Sequence, residues 1–214
     1  MSLERRTFAT REEWLAGRQI GIGASEAAAA CGLSTWMTPI ELWRLKTGKR
    51  EAADLSENAA VQQGVRMEPA IREFFKAMHP EFCVAYNQFD ILFQTERPWM
   101  FATLDGEITD ADGRRGILEI KTATPSGKAG WSKWSDGKLP QNYFAQTLHQ
   151  LWATGYDFVY LFAALYSMNG DITLREYEIW RDDVKDDLTW LLDKETEFWR
   201  HVTDGTIPAV PLMM

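Results

Sequence analysis

Residues Gly116–Ala123 read GILEIKTA. Along a strand, successive side chains leave on opposite faces. Leu118 and Ile120 therefore fall on one side, and Glu119 and Lys121 on the other. Taken alone, the charged pair is either a solvated strand face with a weak ion pair or part of a site. Asp105 changes that balance. It ends the apolar run MFATLD (Met100–Asp105) in the strand immediately before, so a hairpin carries it towards Glu119. Two carboxylates converging at a sheet repel each other unless something positive lies between them. A hard divalent cation with oxygen ligands resolves the conflict, and Mg²⁺ needs only one or two carboxylates together with phosphate oxygens. Lys121 then points into the same place, where an ammonium can stabilise charge building on a phosphoryl group and help orient water.

The chain of 214 residues fits one domain with a sizeable core. No apolar run approaches the roughly 18 residues of a membrane span, and the amino terminus MSLERRTFATREEW lacks the apolar centre of a signal peptide. Cys31 and Cys83 lie far apart without ligand spacing and read as buried thiols of a reducing, cytoplasmic protein. A net charge of -8 argues against a polyanionic partner until its distribution is considered. Residues 113–138 hold six bases against two acids, whereas residues 176–204 hold ten acids against four bases. The middle of the chain is locally positive.

The pattern along the chain predicts helices before, between and after the strands of one mixed sheet, an α/β (α+β mixed) fold. A short helix covers Arg11–Gly17. Ser25 reads as N-cap of an alanine-rich helix ended by Gly32. Thr38, Pro39 and Glu41 form a capping box for a helix stopped at Gly48. Ser56 to Met78 is helical, with Val65, Ile71, Phe74, Phe75 and Met78 as core, and Pro69 kinks this helix or starts a second. CVAYNQFDILFQ (from Cys83), MFATLDGEIT and RGILEIKTA read as strands. Pro140 opens a helix closed by Gly155. Two more strands, 157–166 and 171–180, join through Asn169-Gly170. The last helix, Asp182–Asp204, carries a stripe of Val184, Leu188, Leu191, Trp199 and Val202. His149 reads as a satisfied helix histidine, and the Gly21–Gly23 stretch, with no strand and βαβ unit around it, is not a dinucleotide loop.

Asp105 followed by Glu119-Ile120-Lys121 resembles the D…(D/E)-x-K signature of the restriction-endonuclease-like nucleases, with Leu104 where a proline is common. Three flanking segments sharpen the likeness. GVRMEPAIREFF resembles the helix that supplies another acid, here Glu68. YFAQTLHQLWATG resembles the helix whose glutamine, here Gln146, faces the site. RQIGIGASEAAAACG resembles the N-terminal signature of the phage-type alkaline exonucleases, the lambda exonuclease and YqaJ-like recombinase group. The resemblance covers roughly residues 14–155. It implies a single nuclease domain over 1–214, with a 5′-phosphate pocket in 1–50, a catalytic core in 56–180, and a C-terminal helix and tail in 181–214.

The same resemblance implies a 5′→3′ exonuclease on double-stranded DNA ends that releases mononucleotides and leaves a 3′ overhang for strand annealing. It assigns Mg²⁺, replaceable by Mn²⁺ and two ions per site, to Asp105, Glu119 and the Ile120 carbonyl, with Glu68 as an outer ligand. Gln146 would position water or Lys121. Arg18, Ser25 and Thr103 would take the 5′-phosphate; Arg18 offers a bidentate fork, and Ser25 a hydroxyl beside helix N–H groups. Without the family, Ser25 is a cap and Arg18 a surface side chain. The resemblance further implies a homotrimeric ring and a single-strand annealing protein as partner. GKAGWSKWSDGK, with Lys128, Trp131, Lys133 and Trp134, can track a DNA backbone and stack on a base, or pack against a neighbouring subunit. An endonuclease or single-strand nuclease of the same fold, and a non-catalytic DNA-end-binding protein, are the alternative readings.

Overall fold

The computed structural model describes residues 2–55 and 57–209. Strand β1 (Leu3–Thr7) leads into helix α1 (Arg11–Gly17), capped by the Thr10 hydroxyl accepting from the Glu13 N–H. A 3₁₀ turn, Arg18–Ile20, delivers the two-residue strand β2 (Ile22–Gly23). A second 3₁₀ turn, Ala24–Glu26, precedes α2 (Ala27–Ala30). Ser25 lies inside that turn, which corrects its expected place as N-cap. Glu26 does the capping instead. Its carboxylate accepts from the Gly23 N–H at 2.9 Å while the buried Lys46 ammonium lies 2.8 Å away. An ionised acceptor with a buried counter-charge outcompetes a hydroxyl for that N–H. Helix α3 (Pro39–Lys46) forms as its capping box predicts, with Thr38 and Glu41 exchanging bonds and Gly48 left-handed beyond the end.

Helix α4 (Ala59–Met78) is capped by Asn58; the expected start at Ser56 lies outside the described residues. It is one continuous helix with Pro69 inside it, so no second helix starts there. Pro69 and Val65 are both exposed, so water can reach the carbonyl that Pro69 leaves without a donor.

The next strands are β3 (Cys83–Ala85), β4 (Asp90–Gln94), β5 (Arg97–Ala102), β6 (Gly106–Thr109) and β7 (Arg115–Ala123). Two stretches that read as single strands are each split between two sheets. Phe89, at φ +63°, separates β3 from β4, and Thr103–Asp105 separates β5 from β6. Alternation looks the same whether a run stays in one sheet or crosses to another, so periodicity alone cannot see the break. The remaining elements are α5 (Gly127–Ser132), α6 (Gln141–Thr154), β8 (Phe158–Tyr166), β9 (Ile172–Trp180) and, after a 3₁₀ turn, α7 (Lys185–Asp204).

One sheet has the order β1-β4-β5-β2 and the other β3-β6-β7-β8-β9. The expected single sheet is thus two mixed sheets. In the second, β6 pairs antiparallel with β7 as far as Gly106 opposite Leu118, and β7 runs parallel to β8 with α6 as the crossover. In the first, β2 runs parallel to β5. Gly21 is required there, since a Cβ would lie 2.2 Å from the Trp99 carbonyl oxygen.

Helix α6 is buried on nearly every side, as a helix between layers must be. Ala145, Leu148 and Leu151 meet Ile117 and Val159 of the five-stranded sheet and Leu188 and Leu191 of α7. Ala153 meets Met100 and Ala102 of the four-stranded sheet. His149, fully buried, ties the layers together: Nδ1 lies 2.8 Å from the Glu195 carboxylate and Nε2 2.9 Å from the Phe101 carbonyl. On the other face of the five-stranded sheet, Ile71 and Phe75 of α4 cover Leu118, Ile120, Phe158 and Phe162.

Val65, Phe74 and Met78, expected in the core, are 68%, 49% and 41% exposed. Val65 and Phe74 sit off the Ile71–Phe75 arc, and Met78 ends the helix. Arg72 takes a buried place instead. Cys31 is buried as expected, but Cys83 is exposed, because β3 is the outermost strand of its sheet. Among the described residues, no helix is long and apolar enough to cross a membrane.

Candidate active site

Strand β7 sorts its side chains as alternation requires. Leu118 and Ile120 face α4, while Ile117, Glu119 and Lys121 face α6. The pair at 119 and 121 is therefore not a solvated strand face. Glu119 is 2% exposed and saturated with donors. Lys121 Nζ lies 2.5 Å from Oε1, Gln146 Nε2 donates to Oε1 at 2.6 Å, and Gln150 Nε2 donates to Oε2 at 2.5 Å. Lys121 Nζ also donates to Gln146 Oε1 at 2.9 Å. Gln146 and Gln150 stand one turn apart on α6, the spacing that puts both on one face.

Asp105 enters where the two sheets part. Pairing between β6 and β7 ends at Leu118, so among the described residues the β7 edge beyond it has no strand neighbour on that side. Asp105 Oδ2 occupies the gap and accepts the Ile120 N–H at 2.8 Å. In a strand, the N–H and C=O of one residue leave on the same edge, so the Ile120 carbonyl also faces the Asp105 side rather than β8. Asp105 and Glu119 line one cleft of about 260 Å³ together with Glu68, Ile120, Lys121 and Gln146. Its other wall carries Arg18, Ser25 and Thr103, so every residue expected in the metal site and the phosphate pocket lies around the same space. Arg18 rests its guanidinium 4.5 Å from the Trp14 ring. The Glu26–Lys46 pair fixes the turn that presents Ser25.

Burial and the neighbouring Glu119 and Glu68 carboxylates hold Asp105 well above the usual carboxylate range. Burial also raises Glu68, against the pull of Arg72. For Lys121, burial works to lower the value, but Glu119 and Asp105 outweigh it and keep the ammonium charged. Three acids face two bases, Lys121 and Arg72, so with all five ionised the cluster carries one net negative charge. The donors suit a hard cation that keeps several waters: two carboxylates and one carbonyl. Among the described residues, no group of three His, Cys, Asp or Glu side chains gathers to hold a metal, and Glu68 is turned to Arg72.

Two participants escape sequence reading. Gln150 is one. Arg72 is the other: it pairs with Glu68, donates through Nε to the Asp105 carbonyl at 2.5 Å and stacks 3.6 Å from the Tyr86 ring. Spacing carried a signal for both, since each stands four residues after an expected site residue on the same helix. Lys128, Trp131, Lys133 and Trp134 do not line this cleft. Trp134 is buried against Leu161, Ala163 and Leu165 with Trp131 half-buried beside it, which corrects the expectation for Trp134 alone: its indole is core and not free to stack on a base.

Asp105, Glu119 and Lys121 thus meet on a mixed α/β fold, where its two sheets part and against a central helix. The profile of the YqaJ-like viral recombinase domain matches residues 13–157, and the chain belongs to that family. It is 30% identical over 209 residues to the uncharacterized protein YqaJ of Bacillus subtilis (strain 168), covering 97% of this chain and 61% of that protein. The fold is similar to that of an alkaline exonuclease, LHK-Exo, from Laribacter hongkongensis. There the TM-score is 0.68 and the identity 21%, over 91% of this chain and 93% of that one. A phage related exonuclease from Haemophilus somnus 129PT matches with a TM-score of 0.56 and 12% identity, over 86% and 96% of the two chains.

Proposed function

We propose that the chain is a Mg²⁺-dependent 5′→3′ exonuclease that hydrolyses one strand of duplex DNA from 5′-phosphorylated ends. It releases mononucleotides and leaves a 3′ overhang for recombination by strand annealing. The observation that carries this reading is the meeting of Asp105, Glu119 and Lys121 with Arg18, Ser25 and Thr103 around one cleft. A hydrolytic centre and an anion pocket at fixed separation are what an enzyme acting at a phosphorylated end requires. LHK-Exo has been solved with dAMP, a deoxynucleoside monophosphate and thus a molecule of the expected product class.

Asp105, Glu119 and the Ile120 carbonyl would hold the cation, Mg²⁺ or Mn²⁺, with Glu68 contributing from α4. When bound, the ion supplies Lewis-acid polarisation of the phosphate and acidifies water. The chain's own residues do the rest. Lys121 places an ammonium against the phosphoryl oxygens, where it counts most in the transition state. Gln146, bonded to both Lys121 and Glu119, holds the two in register and offers its amide to water. Arg18 and Ser25 take the terminal phosphate and set which bond reaches the carboxylates. A trimeric ring with an annealing partner fits the same reading, and sedimentation of the protein with and without DNA tests the ring.

Digestion of linear duplex bearing 5′-phosphate or 5′-hydroxyl ends, with Mg²⁺ or with EDTA, tests reaction, polarity and metal together. Mononucleotides released only with Mg²⁺, and faster from the phosphorylated end, are expected. Cutting of closed circular DNA, or equal rates at both ends, favours the endonuclease alternative. Binding to DNA ends without any cleavage favours the non-catalytic one.

A further inference from the structure

Glu119 is held differently at its two oxygens. Oε1 faces Lys121 and Gln146, both of which line the cleft. Oε2 is engaged one helical turn deeper by Gln150, a residue with no exposed surface. Nothing in the packing asks for glutamine there. A methionine would fill much the same volume, and the amide carries a penalty, because Gln150 Oε1 is buried without a hydrogen-bond partner among the described residues. The orientation of the amide is fixed by its neighbour: turned over, Gln150 would set its oxygen against a carboxylate oxygen. An amide kept in a core with its oxygen unbonded among the described residues is there for its N–H donor.

We infer that Gln150 is a positioning residue that locks Glu119 Oε2 in the core, so that Glu119 presents Oε1 alone to the cation. The donors on Oε1 are those a cation can displace. Lys121 and Gln146 sit at the cleft, and each keeps the other as a partner when it releases the carboxylate. Gln150 is fully buried and donates to Oε2 from within the core. The carboxylate therefore cannot rotate to offer both oxygens, and its plane is set before the ion arrives. A buried amide fixing a ligand carboxylate is the kind of outer partner whose loss weakens metal binding by about 10- to 100-fold.

The inference rests on the proposed metal site, and its test separates the two. Titration calorimetry with MgCl₂ and with MnCl₂, without DNA, is run on the wild type, Gln150→Met, Gln150→Asn and Thr147→Val. Thr147 is fully buried on the same helix, its hydroxyl donates to the Phe144 carbonyl, and it does not line the cleft, so it reports the cost of disturbing this core. Both Gln150 variants are expected to bind the ions at least tenfold more weakly than wild type, with Thr147→Val unchanged in affinity even where its melting temperature falls. Gln150→Asn keeps the amide but draws it back by one methylene, so it serves even if Gln150→Met does not fold. Wild-type affinity in a folded Gln150 variant overturns the positioning role while leaving the metal site standing. Equal weakening in Thr147→Val overturns it too, by showing a packing effect. A wild type that binds neither ion overturns both this inference and the reading beneath it.

Discussion

Replacing Lys121 by methionine removes one positive charge while keeping an unbranched side chain one atom shorter, and its consequences run in opposite directions. Asp105, Glu119 and Glu68 oppose Lys121 and Arg72, so the cluster passes from one net negative charge to two. The Lys121 ammonium lies 2.5 Å from Glu119 Oε1, with side-chain exposures of 16% and 3%, so the pair is only weakly screened. At an effective dielectric of about 20, a unit charge about 4 Å away is worth about 4 kcal/mol. If a third of that is recovered on freeing Oε1, Mg²⁺ binds about tenfold more tightly to the variant. Turnover moves the other way. Losing a charged donor aimed at the transition state costs about 10²- to 10³-fold in kcat. The assay pairs calorimetric Mg²⁺ titration with single-turnover digestion of a 5′-phosphorylated duplex. Tighter ion binding with kcat reduced at least a hundredfold is expected. Weaker ion binding, or turnover within threefold of wild type, refutes the placement of Lys121 between the carboxylates and the phosphate.

Arg18→Ala should erase the preference for 5′-phosphate over 5′-hydroxyl ends, raising KM for phosphorylated duplex about 10- to 100-fold. That is the scale of a lost charge-assisted bond of about 1.5–3 kcal/mol, and steady-state kinetics on the two substrates reads it. Asp105 makes the metal-free protein pH-sensitive. Its folded value lies above the unfolded one of about 3.9, so the folded state binds the proton more tightly. This group's contribution to stability is thus present at low pH and lost as pH rises through the raised value; melting curves without metal should show that loss, and Mg²⁺ should offset it. His149 behaves likewise. Burial works to lower it, but Glu195 and the Phe101 carbonyl outweigh burial and raise it, so its stabilising share is full below about pH 6.5 and fades through its higher folded value. Glu195→Ala should cost about 3–5 kcal/mol by chemical denaturation at pH 6 and remove the gain in stability at low pH, since burial then acts on His149 without its counter-charge.

Much of the site was legible because its chemistry is local. Glu119 and Lys121 are two residues apart on a strand, Asp105 starts the neighbouring hairpin, and Gln146 rides the crossover helix, so alternation and topology bring them together without long-range information. The capping box at Thr38 and the glycine stop at Gly155 were legible for the same reason. What stayed hidden depends on layers. The division of MFATLDGEIT between two sheets cannot be read from periodicity, yet it is this split that opens the β7 edge for Asp105. Trp134 read as a DNA-stacking residue because lysines flank it, but the lysines are exposed and the indole faces β8. Arg72 and Gln150 are polar residues in buried positions. The four-residue spacing puts each on the face of an expected site residue, but their burial follows from tertiary contacts, Arg72 with the Asp105 carbonyl and the Tyr86 ring and Gln150 with Glu119, which spacing does not show.

The central claim is that one cation joins Asp105 to Glu119 across the β6–β7 junction. Anomalous diffraction from crystals grown with Mn²⁺ tests it most directly. A peak bounded by the two carboxylates and the Ile120 carbonyl is the result expected, and it should vanish in Asp105→Asn. A peak elsewhere, in crystals of a protein that degrades DNA, would contradict the account.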